Sequence, residues 1–250
     1  MIRMTPAADG TRRFGIDAGM LRILAMLFML CDHLWISVIP GNHWMTLVGR
    51  LAFPIFAFQI AEGYAHTRNF RNYALRLLIF ALISEIPFDL FAEGELFFPF
   101  HQNVIFTLLL GLLSCRMSDK ILTAKKKSAK IGYASLLLLC ILGGFLGMTD
   151  YYGAGVLTVF LFHIARKLPL TPLWQLLGML TLHWFLMEGE CMQIGPLYVP
   201  VQAFAVFALL PIWLYNGKPA KWSSPVFRYA AYVFYPLHML LLYLIAVYVI

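Results

Sequence analysis

Arg22 and His33 stand 11 residues apart in a leucine-rich segment. On a helix that spacing leaves two side chains about 20° apart around the axis and about 16 Å apart along it, on one face at different depths. An arginine at the mouth of a membrane protein can hold a phosphate, and a histidine deeper in can act as a general base near neutral pH. A molecule with phosphates at one end and a reactive thioester on an extended arm of comparable length bridges such a pair. Acyl-coenzyme A is such a molecule.

Further ionisable and amide groups lie amid apolar sequence nearby: Asp32, Arg50, Glu62, His66, Glu85, Asp89, His101, Gln102 and Asn103. In hydrocarbon these groups are costly, so they face a packed interior or a watery cavity and mark function. Later in the chain, the apolar runs add the histidines His163, His183 and His238. The four cysteines are scattered, with no CxxC and no Cys/His ligand spacing, so neither a disulfide framework nor a metal site is expected.

The elements that must position these groups follow from composition. Of the 250 residues, 61% are apolar and 12% charged, against about 45–50% and about 25% in soluble domains. Apolar runs fall at 18–39, 44–66, 73–92, 102–117, 131–149, 152–165, 172–188, 197–216 and 227–249. Backbone hydrogen bonding in lipid makes each a helix. The expected fold is therefore all-α, a polytopic transmembrane bundle of about nine spans (eight to ten), in one domain covering residues 1–250. The first run lacks a small-residue cleavage site and contains Asp32 and His33, so it reads as a retained helix rather than a signal peptide.

Charge asymmetry sets the expected orientation. With the N-terminus in the cytoplasm, 18 of the 19 lysines and arginines fall in cytoplasmic segments. These segments include a tail at 1–17 and a basic loop at 118–130 containing Lys125–Lys127. The external segments carry Glu93, Glu95, Asp150, Glu188 and Glu190. This pattern fits a multi-pass protein of the cell membrane, and the lysine run is a topology determinant rather than a nucleic-acid patch. Alternating helix direction then sorts the buried groups. Asp32, His33, Arg50, Glu85, Asp89, His101, Gln102 and Asn103 form an outer cluster, and Arg22, Glu62 and His66 an inner one.

Each group has a plain and a chemical use. Asp32 points about 100° from His33 and cannot simply orient it, so a helix-locking pair with Arg50 is favoured. Arg50 either polarises a carbonyl or pairs with Asp32, Glu85 or Asp89. Glu85 and Asp89 share a face across Pro87, where a broken helix could line a cavity. His101, Gln102 and Asn103 suit either a helix cap or a substrate contact. Glu62 and His66 suit either a donor entrance or the interface. His238 reads as structural.

The stretch Leu21–Met26 through Cys31-Asp32-His33 resembles the start of the TraX family, named for the conjugative pilin acetylase. The likeness continues through Gly49–Phe58, Glu62–Arg68, Ser84–Asp89, His101–Val104 and Phe234–His238. The arginine–ten residues–histidine spacing is also similar to that of acyltransferase-3-like membrane acyltransferases. These resemblances imply a membrane acetyltransferase that takes acetyl-coenzyme A, or another acyl-coenzyme A, from the cytoplasm. They imply His33 as catalytic base and Arg22 as donor contact; Glu62 and His66, by their place near the cytoplasmic side, are the candidates for the donor entrance beside it. The family's acceptor is a pilin amine, but nothing in this sequence resembles a pilin partner, so the expected acceptor is only an amine or hydroxyl, membrane-associated or extracytoplasmic. In this scheme Arg50 and Asn103 stabilise the oxyanion, and Glu85 or Asp89 holds the imidazole tautomer. The residues alone fit a proton-coupled transporter or flippase equally well, or an assembly protein in which the cluster is interhelical glue. The resemblance favours acyl transfer.

Overall fold

Asp17 starts the first helix by accepting hydrogen bonds at Oδ1 from the backbone N–H groups of Gly19 and Met20, both at 2.9 Å. This cap satisfies donors that a helix N-terminus leaves unpaired. From it α1 (Ala18–Ser37) runs unbroken and carries both Arg22 and His33. The computed structural model describes residues 15–187, 189–220 and 225–249, with backbone alone at 225–228. Most of the expected N-terminal tail, with Arg3, Arg12 and Arg13, lies outside the described residues, as do Glu188, Lys221, the Arg228 side chain and Ile250.

The second apolar run is two helices, α2 (His43–Gly49) and α3 (Ala52–His66). The break falls at Arg50 and Leu51, where the Leu51 N–H reaches back only three residues to the Val48 carbonyl, at 3.1 Å. Pro54 sits in the first turn of α3, where its missing N–H costs nothing. Next comes α4 (Phe70–Ala92), which runs through Pro87 without interruption. α5 (Val104–Thr123) and α6 (Lys127–Leu146) follow, so of the basic stretch 118–130 only residues 124–126 lie outside helix.

α7 (Tyr152–Ala165) and α8 (Thr171–Thr181) lead into a wider turn at Leu182–Leu186. Here the all-helical expectation needs correction. Residues 191–200 form an antiparallel hairpin, β1 (Cys191–Ile194) and β2 (Leu197–Pro200), turning at Gly195, whose φ of 60° suits glycine. The expected helix at 197–216 is thus a strand, a tight 3₁₀ segment (Val201–Ala208) and a short α9 (Leu209–Trp213). Short apolar runs do not separate strand from helix by pattern, and Pro200 ends β2 where the 3₁₀ segment begins. The chain closes with α10 (Pro225–Tyr248).

Among the described residues, four segments are long and apolar enough to cross a membrane: Ala18–Ser37, His43–His66, Lys127–Leu146 and Tyr229–Tyr248. α4 and α5 are as long but carry more charge, including Arg71, Arg76, Glu85 and Asp89 on α4. The core lies among α1, α3, α5, α7 and α10, with Leu21, Ile55, Leu112, Val159 and Met239 fully buried. By contrast, α6 buries only Gly144, and its leucines 136, 138, 139 and 142 stay exposed, as expected of a helix facing lipid.

Candidate functional site

The polar side chains gather at two poles. At one, the start of α1 meets the ends of α3, α5 and α7. Glu62 accepts from His66 Nε2 at 3.0 Å and pairs with Arg166 Nη1 at 3.4 Å. Tyr64 donates to Asp119 at 2.9 Å, and Lys167 bonds both Asp119 and His163. A cavity of about 380 Å³ opens here, lined by Arg22, Gln59, Glu62, Gly63, His66 and Tyr215. Arg22, Glu62 and His66, which helix direction groups together, all line this cavity. Glu62 and His66 have partners, whereas Arg22 makes no hydrogen bond or ion pair among the described residues.

At the opposite pole a cavity of about 300 Å³ is lined by Asp32, His33, Arg50, His101, Glu93, Asp150 and Tyr151, with walls of Phe53, Phe56, Phe88 and Phe91. Arg50 donates from Nη2 to both Asp32 oxygens, at 2.8 and 2.7 Å, and to Thr46 Oγ1 at 3.1 Å. This contact requires α1 and α2 to touch. A Cβ on Gly49 would fall 2.3 Å from the Asp32 Cβ, so only glycine permits it. Asp32 is therefore the lock for Arg50.

The chain continues beyond Arg50. Its Nη1 donates to Gln202 Oε1 at 3.4 Å, and Gln202 Nε2 donates to His183 Nδ1 at 3.0 Å. His183 Nε2 then donates to Thr158 Oγ1 at 3.4 Å, and that hydroxyl donates to the Ala154 carbonyl at 2.9 Å. Only this direction satisfies every member, because a carbonyl can only accept. Arg50 Nε is left buried and without a partner among the described residues.

Four expected members of the outer site do other work. Asn103 caps α5 by accepting from the Ile105 N–H at 3.0 Å, and its amide donates to the Ala81 carbonyl and to Glu85. It therefore has no donor left for an oxyanion. Glu85 is engaged by Asn103, and Asp89 accepts from the Phe98 N–H at 2.9 Å. Neither lines the outer cavity or touches His33, so the expected carboxylate support for the imidazole is absent among the described residues. The Gln102 side chain bonds the Pro99 carbonyl, while its backbone bridges to the loop before α7: its N–H donates to Met148 and its carbonyl accepts from Asp150.

That bridge matters because Met148, Tyr151 and Tyr152 all have positive φ, a strained state for side chains that surrounding structure must hold. Stacking of Tyr151 on Phe53, with centroids 4.0 Å apart, completes the hold and delivers Asp150 to the cavity. Burial pushes the Asp150 carboxyl up to about 6, against the opposing pull of His101 and Arg50. His101 itself contacts Glu93 at 3.0 Å.

His33 has a different partner from the expected carboxylates. Its Nδ1 lies 2.7 Å from His238 Nε2, and His238 Nδ1 lies 2.7 Å from the Phe234 carbonyl. His238, Asp150, Gln202 and His183 are the site residues that sequence reasoning missed. His238 and His183 were visible as histidines in apolar runs, and Asp150 as an external charge, but Gln202 gave no signal.

A third cavity, of about 120 Å³, lies between the two. It shares Arg22 and Gln59 with the inner cavity, and Met29, Phe56, Val104, Leu108 and Tyr235 with the outer one. The three cavities adjoin at these residues, in a row along the Arg22–His33 face of α1.

No solved structure matches this chain. It is 29% identical over 247 residues to the probable fimbrial assembly protein FimC, serogroup H1, of Dichelobacter nodosus, with 93% of this chain and 96% of that protein covered. The sequence profile described as TraX protein matches residues 18–246, nearly the whole length, and the chain therefore belongs to the TraX family.

Proposed function

We propose that this TraX-family membrane protein is an acyltransferase that moves an acetyl group from acetyl-coenzyme A at its inner pole to an amine or hydroxyl acceptor at its outer pole. The observation that carries this is the row of three adjoining cavities. Unpaired Arg22 lines its inner end, His33 its outer end, and the narrow part between is walled by Met29, Phe56, Ile60, Leu77 and Leu108. Such a row suits a donor whose phosphates stay at the inner mouth while an extended arm carries the thioester to the base.

In this scheme the poles are the cytoplasmic and external sides of the cell membrane. The N-terminus is cytoplasmic and the chain crosses about nine times, with α2 and α3 acting as one crossing and the 3₁₀ segment with α9 as another. His33 takes the proton of the acceptor N–H or O–H as that atom attacks the thioester carbonyl. Arg50, which lines the outer cavity, supplies the positive charge beside the oxyanion that forms. The intermediate collapses with cleavage of the carbon–sulfur bond, and the coenzyme A thiolate recovers the proton from His33. No step calls for a metal. The name of the Dichelobacter relative suggests fimbrial or pilus assembly as the setting.

A proton-coupled transporter would need a through-path and a proton wire along it. The polar chain from Asp32 ends at the Ala154 carbonyl, and that from His33 ends at the Phe234 carbonyl. Neither reaches the inner cavity among the described residues. The test is mass spectrometry of acetylated products in cells with the protein, without it, and with His33→Gln. Products present only with the wild type support the reading, and identical profiles in all three remove it.

A further inference from the structure

His33 needs a defined tautomer to serve as a base, because only a ring nitrogen with a free lone pair can take a proton. The geometry around it settles which nitrogen that is. The two imidazole planes are only 6° apart and their centroids 4.9 Å apart. The nitrogens are 2.7 Å apart, closer than the centroids by about two ring radii. The rings therefore meet edge to edge in one plane, with a near-linear N–H···N bond, rather than face to face.

The direction of that bond follows from its far end. The Phe234 carbonyl can only accept, so His238 carries its proton on Nδ1. In a neutral ring Nε2 is then the lone pair, and His33 must donate to it from Nδ1. Neutral His33 is thus left with a bare Nε2. No described group bonds that nitrogen, and the ring lines the outer cavity. No carboxylate contacts either ring within ion-pair distance among the described residues, so a cationic alternative has no counter-charge. Phe91 and Phe234 close against the pair, at centroid distances of 4.9 Å from His33 and 4.6 Å from His238.

We infer that His238 on α10 is a positioning residue that fixes His33 as the Nδ1–H tautomer and aims its basic Nε2 into the outer cavity. The part that a carboxylate plays in a serine hydrolase triad is here played by a second, neutral imidazole anchored to a backbone carbonyl. The catalytic consequence rests on the acyl-transfer reading, whereas the tautomer itself does not.

The test uses full-length protein in nanodiscs with ¹⁵N-labelled histidine, His33 being assigned by the signal missing in His33→Gln. Nitrogen shifts report which ring atom carries the proton. Wild type should show His33 protonated on Nδ1. His238→Phe should lose that preference and slow acyl transfer roughly 10²-fold. His238→Gln, whose amide oxygen can still accept from His33, should keep the tautomer and stay within about threefold of wild type, with coenzyme A affinity unchanged in both variants. His33 protonated on Nε2 in wild type would overturn the inference. So would a shifted tautomer in His238→Phe without a change in rate, or an equal loss in the Gln and Phe variants. A wild-type protein that shows the expected tautomer but transfers no acyl group would instead refute the proposed reaction.

Discussion

Removing the charge from Asp32 isolates the structural part of Arg50 from its chemical part. The guanidinium meets both carboxylate oxygens through one nitrogen, at 2.8 and 2.7 Å, with side-chain exposures of 21% for Arg50 and 10% for Asp32. In Asp32→Asn, Arg50 would keep only neutral partners, Thr46 at 3.1 Å and Gln202 at 3.4 Å. Breaking a buried pair from one side costs about 3–5 kcal/mol, because the remaining charge stays desolvated. The residual exposure of Arg50 places this site at the lower end, about 3 kcal/mol, well above the ~0–1 kcal/mol of a surface pair. Asparagine keeps the shape packed on Gly49, so a cavity does not confuse the result.

The assay is unfolding by titration with a denaturing detergent, followed by circular dichroism. The double variant Asp32→Asn with Arg50→Gln removes both charges of the pair and, at pH 5 where Asp150 is mostly neutral, should recover stability to within about 1 kcal/mol of wild type. It should nevertheless stay deficient in acyl transfer if Arg50 supplies the positive charge beside the oxyanion. A cost under 1 kcal/mol for Asp32→Asn would refute the lock. A stable double variant with wild-type transfer rates would refute the catalytic use of Arg50.

Three other outcomes are expected. Arg22→Ala should weaken coenzyme A binding about 10-fold or more, as loss of a charged hydrogen bond to phosphate implies, and Arg22→Lys should retain part of it; isothermal titration reads both. Asp150 has a folded pKa of about 6, above the ~3.9 of an unfolded chain, so its ionisation destabilises the fold as pH rises through that window. Asp150→Asn should thus raise the unfolding midpoint at pH 8 and leave it unchanged below pH ~4, and the reverse order would contradict the burial argument. Reporters fused after Lys127 and after Ile250 should read cytoplasmic and external respectively, and a cytoplasmic C-terminus would mean an even number of crossings.

Helix periodicity and direction made much of the site legible. Arg22 and His33 fall along one row of cavities because α1 is regular over its whole length, and Asp32 had only Arg50 as an opposite charge at matching depth on the next run. The partners from distant sequence were not legible. His238 lies 205 residues from His33, and Gln202 lies 152 from Arg50, so nothing local announces either contact. Which use Asn103 and Glu85 take was not legible for a different reason: a buried helix start consumes polar groups for capping, and sequence does not reveal whether any donor remains. The hairpin was hidden because β2 reads as the start of an apolar run.

His33 is proposed as the base for transfer of an acyl group from an inner donor to an outer acceptor. Inside-out membrane vesicles containing the protein, supplied externally with isotope-labelled acetyl-coenzyme A, test it directly. Label should appear on an acceptor at the lumenal face, with a loss of at least about 10²-fold in His33→Gln. Equal labelling by His33→Gln, or labelling that requires the donor inside the vesicle, would contradict the proposal.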